Sequence, residues 1–286
     1  GSTYLGEKTG MFSGTVMDQV YKDVDNATQS LQLLNLMKSL LPSLPLKSAT
    51  KLSKSLLRLL SSKNELLVLG CLSTLSGYMN HPDTELKANS VSTLLTAFLS
   101  NPIAVTNSPA ASEYCRLLSA CMVKFHSINS TASIPFLAEV VSTMTSYYVS
   151  DDRNLTKVIQ TTLKDVFNAC IDQELLLKES KYCEVVESLE GLVAYQLVHS
   201  LNGMVEPMCT FYSVTGKFVS ITTDKNGQSS LVNILQKLTL SMVELYEAGV
   251  DNSEDYIKHL HMILGVVIES VGPQIFLEMV SLASKD

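Results

Sequence analysis

A chain of 286 residues with 46% hydrophobic and 17% charged residues, 8 prolines and no tryptophan can bury a large core and is not a disordered segment. Its net charge of -7 excludes a domain that holds nucleic acid through a global basic excess, so any RNA contact must be local. Six scattered cysteines, Cys71, Cys115, Cys121, Cys170, Cys183 and Cys209, form no CxxC and read as reduced, buried thiols of an intracellular protein.

Gly1-Ser2 reads as a tag scar, with no charged n-region and apolar h-region behind it, and residues 1–27 as a flexible or capping segment. From residue 28 onward the dominant period is 3.6. In "SLQLLNLMKSLLPSLP", Leu33, Leu36, Met37, Leu40 and Leu41 share one face, and Pro42 and Pro45 end that helix and open the next. "LKSATKLSKSLLRLLSS" turns Leu52, Leu56, Leu59 and Leu60 inward and Lys47, Lys51, Lys54 and Arg58 outward. So short a turn predicts that the two helices are antiparallel neighbours.

A second pair follows in "SKNELLVLGCLSTLSGYM" and "DTELKANSVSTLLTAFLS". Ser62 and Glu65 have capping-box spacing, and Asp83 or Thr84 starts the second member after Asn80-His81-Pro82. "HPDTELKANSVSTLL" has the order of acidic, aliphatic, basic and small residues usual in the second helix of a HEAT repeat. The third pair opens at Ser108-Pro109 and runs through "EYCRLLSACMVKFHS" to "IPFLAEVVSTMTSYYVS". The fourth begins near Asp152 and continues as "YCEVVESLEGLVAYQLVHS", and the fifth runs from Asn202 through "MVEPMCTFYSVTGKF" to "LVNILQKLTLSMVELYEAG". "FVSITT", Phe218 to Thr223, is a short strand or a long inter-helix loop before the turn at Asn226-Gly227.

The last full helix, "SEDYIKHLHMILGVVIESVG", leads into "VVIESVGPQIFLEMV". Gly272 there closes one helix and Pro273 opens another, whose packing partner is expected beyond Asp286. The apolar run "MILGVVI" is far short of the roughly 20 residues that a membrane span needs.

Helix pairs thus begin near residues 28, 63, 108, 152 and 202, a spacing shared with HEAT and armadillo arrays. The expected fold is all-α, a HEAT/armadillo-type α-solenoid of about five to six antiparallel pairs over residues 28–286. One pair cannot cover its own apolar stripe, so neighbours must stack.

Residues for chemistry are sparse. There is no GxxxxGK[ST] and no HExxH, and His259 and His261, two apart, point about 200° apart around a helix and cannot share a metal. Cys115, Cys121, Cys170 and Cys209 sit among apolar residues as small buried hydrophobes. Sequons at Asn26, Asn129 and Asn154 read as cap and loop chemistry. Tyr147-Tyr148 reads as half core and half surface. No enzyme, cofactor, metal or small-molecule substrate is expected. The most partner-like feature is the stripe Lys47, Lys51, Lys54, Arg58, which suits an acidic helix or an RNA backbone, or is a solvated face. Glu184, Glu187 and Glu190 pose the same alternatives with opposite sign.

Four stretches carry a family resemblance: "LQLLNLMKSLLPSLP", "LLRLLSSKNELLVLGCLSTL", "LEGLVAYQLVHSLNGMVEPMCTFYSVTGK" and "VVIESVGPQIFLEMV". The chain resembles the N-terminal HEAT region of the ribosomal RNA processing protein 12 family. It departs from that family's tryptophan-containing aromatic helix at Tyr195-Gln196-Leu197. The resemblance implies a scaffold in ribosome biogenesis and nuclear export, placed in the nucleolus and nucleus. Pre-ribosomal particle proteins, pre-rRNA, Ran GTPase and importins are its implied partners. An importin-type transport receptor and a HEAT regulatory subunit of an enzyme complex are the alternatives.

Overall fold

The computed structural model describes residues 2–22, 27–41, 44–60, 62, 64, 65–81, 86–177, 179–196, 203–218, 230–248 and 254–281. Most of these residues are helical, with no strand among them. Backbone contacts group the helices into two units, Gly1–Ile128 and Asn129–Asp286, where the sequence suggests one array over 28–286.

The first unit contains α1 (Ser2–Lys22), α2 (Ala27–Leu40), α3 (Leu46–Leu59), α4 (Glu65–Asn80), α5 (Ala88–Leu99) and α6 (Ser108–Ile128). Residues expected as a flexible or capping segment thus form α1, which packs on α2 and α3. The centre is α4, contacted by α2, α3 and α6, while α5 lies on α6. The sequence of α4 explains its place. Leu67, Cys71, Leu72 and Leu75 are buried, and Gly70 and Gly77 sit seven residues apart on the face toward α2. A Cβ on Gly70 would lie 2.9 Å from Leu31 Cδ2, and one on Gly77 would lie 2.9 Å from Lys38 Cε. The two helices approach this closely because both positions lack a side chain.

The second unit contains α7 (Ser130–Ser146), a 3-10 turn (Tyr147–Val149), α8 (Arg153–Cys170), α9 (Gln173–Leu177), α10 (Glu179–Gln196), α11 (Val205–Gly216), α12 (Ser230–Ala248), α13 (Glu254–Val271) and α14 (Pro273–Ser281). Two rows are evident. Helices α7, α10, α12 and α14 contact one another in succession, as do α8, α11 and α13, and α7·α8, α12·α13 and α13·α14 join the rows. Aromatic side chains fasten this core. Phe211 of α11 meets Phe167 of α8 edge-on at 5.4 Å and stacks on Tyr182 of α10 at 6.0 Å. The hydroxyls of Tyr212 and Thr239 are 3.1 Å apart and link α11 to α12.

Several local expectations are corrected. Among the described residues, α2 has its close backbone contacts with α1 and α4, and α3 with α1 and α4, so the pair read across Pro42 and Pro45 is not the closely packed one. A short linker brings helix ends together but does not choose which flanks meet; small residues on α4 do. Asn64, not Ser62, caps α4: its Oδ1 accepts from Leu67 N at 3.3 Å, while Ser62 Oγ accepts from Asn64 N. Helix α5 begins at Ala88, with Lys87 extended before it, and the expected start at Asp83 or Thr84 lies outside the described residues. Helix α7 starts at Ser130, with Pro135 inside it, because Asn129 Oδ1 captures Ala132 N at 3.0 Å and starts the helix earlier. Tyr147 and Tyr148 are both buried, the second donating to Gly203 O at 2.8 Å.

Other readings match the structure. Asp152 caps α8 through Asn154 N and Leu155 N. Gly272 has φ +89 and its N–H reaches Ile268 O at 2.9 Å, after which the chain bends by 117° into α14 at Pro273. The segment after Phe218, including the possible strand, lies outside the described residues, as does Asn26.

Candidate partner-binding surface

Helix α3 has one apolar and one basic side. Leu52, Leu56 and Leu59 are buried against the unit, as are Ala49 and Ser53. Lys47, Lys51, Lys54 and Arg58 are all exposed, at the spacing of four, three and four that keeps them on one face over about 16 Å. The fold therefore brings the four predicted residues together. Among the described residues, none of them makes an ion pair.

The sequence holds a further signal. Between Asp25 and Glu65 there is no Asp or Glu at all, while Lys38, Lys47, Lys51, Lys54, Arg58 and Lys63 fall in that stretch. In a chain of net charge -7 this is a local inversion of sign. Lys38 is drawn out of it: its stem packs at Gly77 and its Nζ donates to Ser73 Oγ at 3.0 Å.

Beside the stripe lies a cavity of about 140 Å³, lined by residues of α3, α4 and α5 and by Leu86. Leu57, Leu86, Leu94 and Tyr78 give it an apolar lining, and Lys54, Asn89 and Thr93 are its exposed members. Burial pushes the Tyr78 phenol above its ordinary range, so it stays neutral. Periodicity alone did not reveal this cavity, because its walls come from three helices with no fixed sequence separation.

The remaining candidate groups are dispersed. Glu184 pairs with Lys181 at 2.6 Å and Glu187 is exposed, while the side chain of Glu190 lies outside the described set. His259 is half-buried, and His261 is exposed with its ring 5.1 Å from that of Tyr246. Among the described residues, no group of three or more His, Cys, Asp or Glu could hold a metal.

The thiols are all free. Burial pushes Cys71 and Cys170 up to about 12, and also Cys115, against a small opposing pull from Arg116. Cys121 goes further in the same direction. Cys183 and Cys209 are only half-buried, which corrects the expectation that every thiol is core. Cys209 borders a second cavity, of about 580 Å³, between α8, α11 and α13. Its thiol is raised by burial first and by Glu206 second, so it is protonated near neutral pH and a poor nucleophile.

No single described helix is long and apolar enough to cross a membrane. No protein-family model matches the chain, and no curated protein resembles it significantly.

Proposed function

We propose that this chain is a HEAT/armadillo-type α-solenoid scaffold, non-catalytic, that acts in ribosome biogenesis on pre-ribosomal particles in the nucleolus and nucleus. The observation that carries the architectural part is alternate-helix stacking within each unit: α2, α4 and α6 in one, and the rows α7, α10, α12, α14 and α8, α11, α13 in the other. A helical-repeat array stacks this way because each repeat buries its stripe only against the next.

The ribosomal part rests on the resemblance of the four segments to the ribosomal RNA processing protein 12 family. Two of them span α10–α11 and α13–α14, where Phe211 and the Gly272-Pro273 bend hold helices to their neighbours. A scaffold's function lies in its surfaces, and the basic face of α3 is the one offered for a partner.

The test is affinity purification from nuclear extract, with sequencing of the bound RNA and mass spectrometry of the bound protein. Pre-rRNA together with assembly factors is the expected recovery. Ran-GTP-dependent binding without ribosomal RNA would replace this reading with an importin-type receptor. A phosphatase or kinase catalytic subunit in their place would make the chain a regulatory scaffold.

A further inference from the structure

We propose that α3 and the cavity beside it bind an acidic amphipathic segment of a partner protein, with carboxylates along Lys47, Lys51, Lys54 and Arg58 and one leucine- or phenylalanine-sized side chain in the cavity. This goes beyond the scaffold reading and does not depend on it.

Charge complementarity sets the sign of the occupant. Four exposed cations stand on one face of a helix that contains no acid, and no described carboxylate neutralises them. An acidic helix with the same four-three-four spacing places a carboxylate opposite each cation.

The cavity decides between a peptide and a nucleic acid. At about 140 Å³ with Leu57, Leu86 and Leu94 in its lining, it matches the size at which an apolar cavity takes up a benzene-sized group. A base would need an exposed aromatic platform, and the one aromatic side chain here, Tyr78, is 2% exposed. Lys54 belongs to both features, lying in the stripe and in the cavity wall, so charge and apolar anchor fall on one continuous surface. An anchor in a pocket flanked by charges is the usual division of labour between affinity and orientation.

The probe is a fluorescein-labelled synthetic helical peptide with glutamates at the stripe's spacing and one central phenylalanine. It is compared with the same peptide carrying serine in place of that phenylalanine and with a labelled oligouridylate. Fluorescence anisotropy is expected to show the phenylalanine peptide binding about tenfold or more tighter than either. Lys47→Glu with Lys51→Glu, both at exposed positions, is expected to weaken it by at least about tenfold. Thr93→Trp, which fills the cavity mouth, is expected to reduce it to the level of the serine peptide. Asn89→Trp is the second blocking variant should Thr93→Trp change the circular dichroism spectrum. Equal binding of the two peptides, oligouridylate binding as tight as the phenylalanine peptide, or no measurable peptide binding would each overturn the proposal. Recovery or loss of pre-rRNA in the purification above bears on the scaffold reading alone.

Discussion

The Tyr182 hydroxyl donates to Thr215 Oγ1 at 2.9 Å, and both side chains are completely buried. The bond joins α10 to the last turn of α11, beside the stack of Tyr182 on Phe211. Burial drives the Tyr182 phenol well above its ordinary range, and the bond to Thr215 works the other way. A neutral donor is thereby held at the junction of the two helical rows.

Removing either partner leaves a buried polar group behind. Tyr182→Phe is expected to cost about 1 kcal/mol, and Thr215→Val about 1 to 3 kcal/mol, because it strands the phenol. The double variant should cost less than the two singles together, by about 1 kcal/mol or more. Urea denaturation of the four proteins measures this, and strict additivity would show that the bond contributes nothing.

Glycine substitutions should differ in sign with position. A Cβ at Gly216 would lie 2.6 Å from the carbonyl oxygen of Ser270, a backbone atom that cannot swing aside. Gly216→Ala should therefore destabilise by about 1 to 3 kcal/mol. Gly265, mid-way along α13 and exposed, has nothing within 4 Å of the added Cβ. Gly265→Ala should stabilise by up to about 1 kcal/mol through helix propensity. Thermal denaturation that moved both variants the same way would contradict the packing described.

Much of this helical organisation was legible in the sequence, and the failures have physical reasons. Leu52, Leu56 and Leu59 placed α3 correctly because burying them demands one face. Asp152, Asn129 and Gly272-Pro273 marked ends because their side-chain or backbone chemistry is local. Which helices lie flank to flank is not local. It depends on Gly70 and Gly77 meeting Leu31 and Lys38, a match between residues about 40 apart. The same holds for Tyr148, which reads as half-exposed from its sequence position but is buried and donates to Gly203 O, 55 residues away. In the candidate site, the basic stripe was readable from spacing, while the apolar cavity was not.

Alkali should loosen the fold through the buried thiols. Cys71, Cys115 and Cys170 have folded values of about 12 against an ordinary 9.0, so the native state keeps protons that the unfolded chain releases. Their contribution is whole below about pH 9 and is lost as the pH rises toward about 12. Chemical denaturation across that interval should show the fall, and Cys71→Ser, Cys115→Ser and Cys170→Ser together should lessen it, the buried Cys121, Tyr182 and Tyr212 keeping the rest. Near neutral pH, alkylation with iodoacetamide should reach Cys183 and Cys209 first, and early labelling of Cys121 would contradict its burial.

The bend at Gly272 predicts strain for any other residue there. With φ +89, Gly272→Val should cost about 1 to 2 kcal/mol. Deleting residues 274–286 should destabilise α12 and α13 by about 2 kcal/mol or more. The deletion uncovers the surface that Met279 buries and removes the bond from Gln236 Nε2 to Met279 O. Differential scanning calorimetry of the deletion would show a lowered Tm, and an unchanged one would mean that α14 contributes nothing to the unit.

The most direct measurement on the central claim is the sedimentation of the endogenous protein in a sucrose gradient of nuclear extract. The scaffold reading predicts that it travels with pre-ribosomal particles and moves to light fractions when RNase dissolves them. Residence in light fractions before any treatment would contradict a role on those particles.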